Sequence, residues 1–357
     1  MNGLNIKYNW DIIQGVFFLA SGYEEVIDGL LERDEFSRPR IDNRIVFKEN
    51  LLYSPVINIY AELIREDLAS LEINTESYVV SPMAHISHDV DLPFEINTAR
   101  YAINKMATVI NVKELKYHKS RGFEFIFNTE QKLNLKSSWY FIMGGNNPFY
   151  DNNYDIDDKE IESVIDRIEE YGDEVGWHYS FNAAYDRYLM REESSAFSKR
   201  FSKYRKCGRN HFFRYNNPIS WREYENCGIE YDATLSSPYH EGFVFGTCTP
   251  FQLFDVIDGK KLNVWEIPLL VMEMTLSDYR KLSVDEAINK VEQLMDITLK
   301  YEGVFSILWH NSSFFGKLWK NWDYVYERVM ERISEKFESK TGIEIIDIYR
   351  INYEKGM

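Results

Sequence analysis

Apolar runs that end in polar residues alternate with helical segments from about Tyr78 onward. SYVVSPMAHISHDVD ends at two acids, SSWYFIMGG at glycines and EVGWHYS at a histidine, and the runs CGIEYDATL, LNVWEIPLLVM and VFSILWHNSS follow. Amphipathic segments such as ESVIDRIEEYGD and SVDEAINKVEQLMDITLKY lie between them. This alternation is typical of strand–helix units built around parallel strands. We therefore predict an α/β fold.

The first 78 residues differ from the rest and are predicted to form a separate unit that is small and mainly helical. Helical apolar spacing is present in Ile12–Ala20 and in residues 54–71, where Ser54 is the expected N-cap before Pro55. The polar stretch between them, EFSRPRIDNRIVFKEN, offers few core residues. The predicted division is an N-terminal accessory region, 1–78, and a barrel domain, 79–357.

The acidic charge balance limits the classes of partner. The chain carries 41 basic and 57 acidic residues, a net charge of −16. Such a charge repels phosphate backbones and anionic membrane surfaces, so nucleic acid is not an expected partner. No uninterrupted apolar stretch approaches the length of a membrane span, and the start of the chain lacks the pattern of a secretory signal. We expect a cytoplasmic protein without an integral membrane segment.

Ionisable residues fall at the predicted carboxyl ends of strands, where βα barrels carry their chemistry. Asp89 and Asp91 are two positions apart and so lie on one face of a strand. Crowded carboxylates repel unless a cation or a proton lies between them, so a general base paired with a metal ligand is a natural assignment. His178 is a candidate metal ligand. His310, at the end of the last run, suits a general acid with a pKa near neutrality.

Further candidates have more than one interpretation. Arg209, in RNHFFRY, can orient a carboxylate base through a bidentate pair. His211, in the same segment, can supply a second imidazole ligand or serve a structural role, and we favour the structural role. The candidates for substrate binding, each of which can equally be a cap or a core residue, are Tyr150, Asp232, Glu266 and Trp309.

These segments, in this order, resemble the motifs of the polysaccharide deacetylase family, carbohydrate esterase family 4. SHDVDLPF resembles its first motif, EVGWHYSFN the second, RNHFFRY the arginine motif, YDATLSSPYHEGFVFGTCTPF the strand and loop that follow, and ILWHN the final histidine motif. VFFLASGYEEV and DEFSRPR resemble the N-terminal region of a bacterial branch of that family. The resemblance covers nearly the whole chain and implies a distorted (β/α)7-type barrel with a small helical N-terminal extension.

The resemblance also implies a metal-assisted deacetylase. A divalent metal, first of all zinc, would be bound by Asp91 and His178, and Asp89 would be the base. Arg209 would orient Asp89, and His310 would protonate the departing amine. The substrate would be an N-acetylated sugar of a glycan or glycan precursor, such as a surface-glycan precursor processed in the cytoplasm.

The second motif departs from the family pattern. That family has two histidine ligands four residues apart, whereas Asn182 stands four residues after His178. An amide oxygen is a weaker zinc ligand than an imidazole, and the expected ligand set is Asp91, His178 and Asn182. Two alternatives therefore stay open: a catalytically degenerate carbohydrate-binding protein on the same fold, and a hydrolase of another non-peptide C–N bond.

Overall fold

The computed structural model describes residues 12–27, 32–73, 80–93, 121–151, 154–314 and 318–355. Its helices are α1 Ile12–Ala20, α2 Ile45–Lys48, α3 Val56–Ser70, α4 Arg121–Lys132, α5 Lys159–Tyr171, α6 Arg187–Arg200, α7 Ile219–Cys227, α8 Val284–Lys300, α9 Trp322–Lys336 and α10 Gly342–Lys355. Its strands are β1 Met83–Val90, β2 Ser137–Ile142, β3 Glu174–Tyr179, β4 Cys207–Asn210, β5 Tyr231–Asp232, β6 Phe251–Asp255, β7 Lys260–Glu266, β8 Val271–Met272, β9 Val304–Leu308 and β10 Glu338–Ser339.

The described strands form one sheet whose order places the end of the chain beside its beginning. The order is β6-β7-β5-β4-β3-β2-β1-β9-β8, and β10 pairs with β1. Every pairing between these strands is parallel except the β6–β7 hairpin. The strands β1 to β5 are neighbours in chain order, and β9 returns to β1, as in a barrel. The fold is a distorted (β/α) barrel with a helical N-terminal extension, which confirms the predicted fold class.

Local sequence explains where the helices between the strands begin and end. Asp158 caps α5 by accepting a hydrogen bond from the backbone N–H of Glu160 at 3.0 Å, and Gly172 ends the helix with φ 70°. A capping box formed by Ser283 and Glu286 begins α8. Among the described residues, no helix combines the length and the apolar character that crossing a bilayer requires.

One detail of the sequence prediction is wrong. The N-cap of α3 is Pro55, not Ser54, so Ser54 lies one residue outside the cap. In the run LNVWEIPLLVM, β7 ends at Glu266, as expected, and a second short strand, β8, follows. Pro268 lies between them, and a proline has no N–H to donate to a strand ladder.

The N-terminal extension packs directly on the barrel. The backbone N–H of Ile57, in α3, donates to the carbonyl oxygen of Gly246 at 2.8 Å. The polar stretch before α3, in which we expected few core residues, contributes Ile41 and Val46 to the buried core. The predicted boundary at residue 78 lies outside the described residues, and a separate accessory region at 1–78 stays a prediction.

A buried carboxylate at the amino end of the barrel joins the last helix to the sheet. Glu174, the first residue of β3, accepts hydrogen bonds from the backbone N–H groups of Gly342 at 3.2 Å and Ile343 at 3.1 Å, which begin α10. It also accepts from the hydroxyl of Ser138 at 2.7 Å and from that of Tyr231. Glu174 therefore satisfies N–H groups that have no partner within the helix and places a negative charge at its N-terminus.

Replacing Glu174 with alanine should destabilise the protein strongly. Each buried donor left without an acceptor costs about 1–3 kcal/mol, so we expect the free energy of unfolding to fall by about 3–5 kcal/mol. Urea unfolding followed by circular dichroism measures this change. The control is Glu66→Ala on an exposed position of α3, which should change stability by less than about 0.5 kcal/mol. Equal effects of the two substitutions would contradict the capping role.

Candidate active site

Five predicted residues meet at the carboxyl ends of four strands. Asp89 lies in β1 and Asp91 follows it, His178 lies in β3 and Arg209 in β4, and His310 follows β9. The β3–β4 register pairs His178 with Arg209. Because neighbouring parallel strands end at the same edge of the sheet, side chains far apart in sequence share one site.

Asp89 is held by a buried arginine. Arg209 donates from Nη1 to Asp89 Oδ1 at 2.8 Å, from Nη2 to Ser87 Oγ at 3.0 Å and from Nε to the carbonyl oxygen of Ala233 at 2.7 Å. The contact is therefore not the bidentate pair that we expected, because the second Nη is taken by Ser87. Burial alone would lower the pKa of Arg209, but the charge of Asp89, the hydrogen bond to it and the neighbouring Tyr140 and Tyr231 together raise that pKa. A permanently charged guanidinium thus orients the Asp89 carboxylate.

His178 is oriented by the close approach of β4 to β3. A Cβ atom at Gly208 would lie 1.8 Å from the carbonyl oxygen of Trp177, so only glycine fits there. His178 Nδ1 donates to the carbonyl oxygen of Arg209 at 2.9 Å. Because a carbonyl oxygen only accepts, the proton resides on Nδ1, and Nε2 presents its lone pair to the site.

Three side chains meet at a distance that suits a metal ion. One ligand atom from each of Asp91, His178 and His211 lies within 4.8 Å of the others. His178 Nε2 is 3.2 Å from Asp91 Oδ1, and His211 Nε2 is 3.4 Å from Asp91 Oδ2. His178 Nε2 and Asp91 Oδ1 are buried and have no hydrogen-bond partner in the described part of the chain. Two such lone-pair donors beside a second imidazole fit a divalent metal such as zinc.

The structure places His211, for which we favoured a structural role, with the candidate ligands. Its Nδ1 is 3.3 Å from Asp151 Oδ1, an oxygen that also accepts from the backbone N–H of Phe181 at 2.8 Å. Burial alone would lower the pKa of His211, but the charge of Asp91 and the hydrogen bond to Asp151 raise it to about 9. A carboxylate behind an imidazole is the usual way in which a histidine ligand is oriented. The sequence signal was the imidazole two positions after Arg209.

Asn182, the ligand expected from the second motif, lies in the turn that follows β3. Its Nδ2 donates to Asn146 Oδ1 at 2.6 Å in an exposed environment. Its role as a ligand stays a prediction. His211, in the arginine motif, offers the second imidazole that the second motif lacks. The contributions of His211 and Asn182 to zinc binding can therefore be compared directly.

His310 is paired with a carboxylate that the sequence analysis missed. Its Nε2 is 3.5 Å from Asp91 Oδ2, and its Nδ1 donates to Glu273 Oε1 at 2.7 Å. Glu273 follows β8 and also accepts from Ser313 Oγ at 2.6 Å. Burial alone would lower the pKa of His310, but Glu273 and the charges of Asp91 and Asp89 raise it to about 10. This pKa is higher than the near-neutral value that we predicted, because the pairing with Glu273 was not visible in the sequence.

Asp232 and Glu266 are fully buried. Asp232 Oδ1 accepts from Thr234 Oγ1 at 2.9 Å, and Glu266 Oε1 accepts from the backbone N–H of Leu235 at 2.9 Å. Burial raises the pKa of Asp232 to about 6, and burial together with the charge of Asp232 raises that of Glu266 well above its usual value. Both carboxyls order the chain that follows β5, and a role in substrate binding stays a prediction.

The two aromatic candidates lie in different environments. The Trp309 ring is fully buried and packs on Tyr326 with 5.1 Å between ring centroids, so the structure places it in the hydrophobic core. Tyr150 is partly exposed and contacts the rings of Phe181 at 4.4 Å and Phe212 at 4.9 Å. Of the two, only Tyr150 retains exposed ring surface for a ligand.

Known proteins share this fold at low sequence identity. Residues 2–72 match a family model described as "Family of unknown function (DUF7033)", and no curated protein matches the chain. A structure named as a polysaccharide deacetylase from Mycobacterium smegmatis is 13% identical, with 78% of this chain and 93% of that chain covered and a TM-score of 0.51. A structure named as a polysaccharide deacetylase from Pseudomonas aeruginosa PAO1 is 12% identical, with 75% of this chain and 90% of that chain covered and a TM-score of 0.51. The structure of Puue allantoinase is 12% identical, with 78% of this chain and 92% of that chain covered and a TM-score of 0.52. The chain thus has the fold of these proteins, which confirms the resemblance at the level of the fold.

Zinc titration separates the two candidates for the third ligand. We expect His211→Ala to weaken zinc binding by about 100-fold or more, because an imidazole ligand is lost. Asn182→Ala should weaken it by less than about threefold, since an amide is a poor zinc ligand. Isothermal titration calorimetry of chelator-treated protein measures both affinities.

The control for this titration is His240→Ala, which removes a histidine that stacks on Phe47 and lies outside the ligand cluster. It should leave zinc affinity unchanged. A larger loss in Asn182→Ala than in His211→Ala would instead support the ligand set expected from the sequence.

Proposed function

We propose that the protein is a metal-assisted hydrolase that removes an N-acetyl group from an amino sugar of a glycan or glycan precursor. The observation that carries this proposal is the cluster of Asp91, His178 and His211 with a carboxylate and an imidazole beside it. Asp89 Oδ2 is 3.8 Å from His178 Nε2, and His310 Nε2 is 3.5 Å from Asp91 Oδ2. A ligand set, a base and an acid therefore surround one point at the strand ends.

Asp91, His178 and His211 would hold the metal, and zinc is the first candidate because of the two imidazoles. A divalent metal bound there would polarise the acetamide carbonyl and lower the pKa of water toward about 7. The buried, unpartnered His178 Nε2 and Asp91 Oδ1 support this assignment.

The base and the acid are oriented by different partners. The Oδ1 atom of Asp89 accepts a hydrogen bond from Arg209. The Oδ2 atom faces the ligand cluster and would accept a proton from the attacking water. His310 has Nδ1 tied to Glu273, and Nε2 would donate a proton to the departing amine nitrogen. The charge of Glu273 stabilises the imidazolium form that a proton donor requires. The products would be acetate and a free amino sugar.

The setting of the reaction is inferred from the sequence. We propose processing of a surface-glycan precursor in the cytoplasm. Cys207, Cys227 and Cys248 are free and buried, which supports a reducing compartment, where thiols persist.

Asp89→Asn should slow acetate release strongly. Loss of the base should lower the rate by about 100-fold to 10,000-fold, measured as acetate released from N-acetylglucosamine and N-acetylchitotetraose in the presence of zinc. Because the substitution leaves Arg209 with a weaker partner, thermal unfolding must show that the variant is folded at the assay temperature. Asp166→Asn, on an exposed position of α5, is the control and should retain full activity.

Two outcomes of this assay would contradict the proposal. Full activity of Asp89→Asn would remove Asp89 as the base. A zinc-loaded wild-type protein that releases no acetate from any acetylated sugar would remove the deacetylase function. If such a protein still bound N-acetylchitotetraose, it would fit the catalytically degenerate carbohydrate-binding alternative.

The fold shared with an allantoinase supports a second candidate function, hydrolysis of another non-peptide C–N bond. Allantoin is a cyclic ureide, and the same base and acid can serve the opening of a ring amide. The test is a substrate screen with allantoin and cyclic imides beside the acetylated sugars. Turnover of a ureide or imide without acetate release would favour this candidate over the deacetylase.

A further inference from the structure

Residues 32–40 of the N-terminal extension form a compact hairpin, which we call the N-terminal hairpin. An antiparallel bridge joins Arg33 to Pro39. The carboxylate of Asp34 accepts from the backbone N–H of Arg38 at 2.9 Å and from its Nε at 2.6 Å. Both side chains of this ion pair are only 3% exposed, so the hairpin keeps its shape through internal contacts that solvent screens little.

The N-terminal hairpin is bound to loops that follow three consecutive barrel strands. Tyr185, after β3, donates its hydroxyl to the carbonyl oxygen of Ser37 at 2.6 Å. Arg214, after β4, donates from Nε to the carbonyl oxygen of Phe36 at 2.8 Å. Tyr239, after β5, donates its hydroxyl to the hairpin carboxylate at 2.8 Å. The hairpin therefore lies at the carboxyl end of the barrel, the end that carries the candidate active site.

The ring of Phe36 joins an aromatic group that borders the candidate metal ligands. Its centroid is 5.1 Å from that of Phe212 and 6.2 Å from that of Tyr150. The Phe212 centroid is 4.8 Å from that of His211. Phe36, Tyr150 and Phe212 are all partly exposed. The partly exposed Phe36 ring of the N-terminal extension is thus separated from His211, a candidate metal ligand, by the ring of Phe212.

The backbone beside His211 is also unusual. Phe212 and Phe213 have φ values of 63° and 55°, in the left-handed region. Bulky residues rarely adopt this conformation, and where it persists it is held by the surrounding structure, often at a functional site. It presents the Phe212 ring to Phe36 and Tyr150 instead of to the buried core.

We propose that the N-terminal hairpin is one wall of the substrate cleft and that Phe36, with Phe212 and Tyr150, binds a pyranose ring next to the acetamido sugar. This inference rests on the proposed function and extends it to the sugar that adjoins the reacting one. Aromatic rings offer apolar faces for the apolar faces of pyranoses, and polar groups such as the Arg214 guanidinium and the Tyr185 hydroxyl lie beside them. The extension, which matches a family of unknown function, then determines which glycans are accepted.

The test compares Phe36→Ala with the wild type on substrates of two lengths. On N-acetylchitotetraose, kcat/KM should fall about tenfold, which corresponds to about 1.4 kcal/mol, through a higher KM with kcat nearly unchanged. On N-acetylglucosamine the change should be less than about twofold, since a single sugar that occupies the reacting position does not reach the Phe36 ring. Phe36→Tyr, which keeps a stacking ring, should restore kcat/KM to within about twofold of the wild type.

The control is Phe17→Ala, which removes a phenylalanine of the same N-terminal extension whose ring packs on Phe254 at 5.3 Å. It should show wild-type selectivity for chain length. Wild-type kinetics of Phe36→Ala, or an equal loss on both substrates in a variant that unfolds at the wild-type temperature, would overturn the inference.

Failure of the proposed function is recognised separately. If the wild type releases no acetate, calorimetric binding of N-acetylchitotetraose to the wild type and to Phe36→Ala decides about the subsite. About tenfold weaker binding by the variant would support it. Equal affinities, or no binding by the wild type, would overturn it.

Discussion

One buried side chain, Arg209, connects the groups on which the candidate site depends. Its guanidinium bonds Asp89 and Ser87 of β1 and the carbonyl oxygen of Ala233 after β5, and it lies over the ring of Tyr140 in β2. Its own carbonyl oxygen orients His178. A buried charge is tolerated only when its donors are paired, so the packing that satisfies Arg209 also determines where the base and the first imidazole point.

The three imidazoles around Asp91, those of His178, His211 and His310, differ in the group that their Nδ1 atom contacts. His178 is backed by a neutral carbonyl oxygen, which keeps Nε2 available as a ligand atom. His211 and His310 are each backed by a carboxylate, and their pKa values are raised to about 9 and about 10. Burial alone would raise the pKa of Asp91, but the charge of His211, together with the contacts of both His211 and His178, holds that pKa well below its usual value. The group that contacts Nδ1 therefore favours different roles for these three histidines, although their side chains are chemically identical.

The sequence by itself determined the fold class and the residues at the strand ends. Alternation of apolar runs with amphipathic helices is a local property, and polar residues at the ends of the runs can be read without knowing how the chain folds. Because neighbouring parallel strands end at one edge, those positions had to converge. The convergence of Asp89, Asp91, His178, Arg209 and His310 could be predicted for this reason.

Only the tertiary structure decided which carboxylates contact the imidazoles of the site and which aromatic rings remain exposed. His211 and Asp151 are 60 residues apart, and His310 and Glu273 are 37 apart. No local pattern encodes such a contact, because it depends on the stagger of strands and the direction of side chains across the barrel. For the same reason the sequence did not decide whether Trp309 lies in the core or in the substrate site, whereas its packing against Trp322 and Tyr326 of α9 places it in the core. The docking of residues 32–40 beside the site likewise follows from hydrogen bonds to three separate loops, which exist only once the barrel has formed.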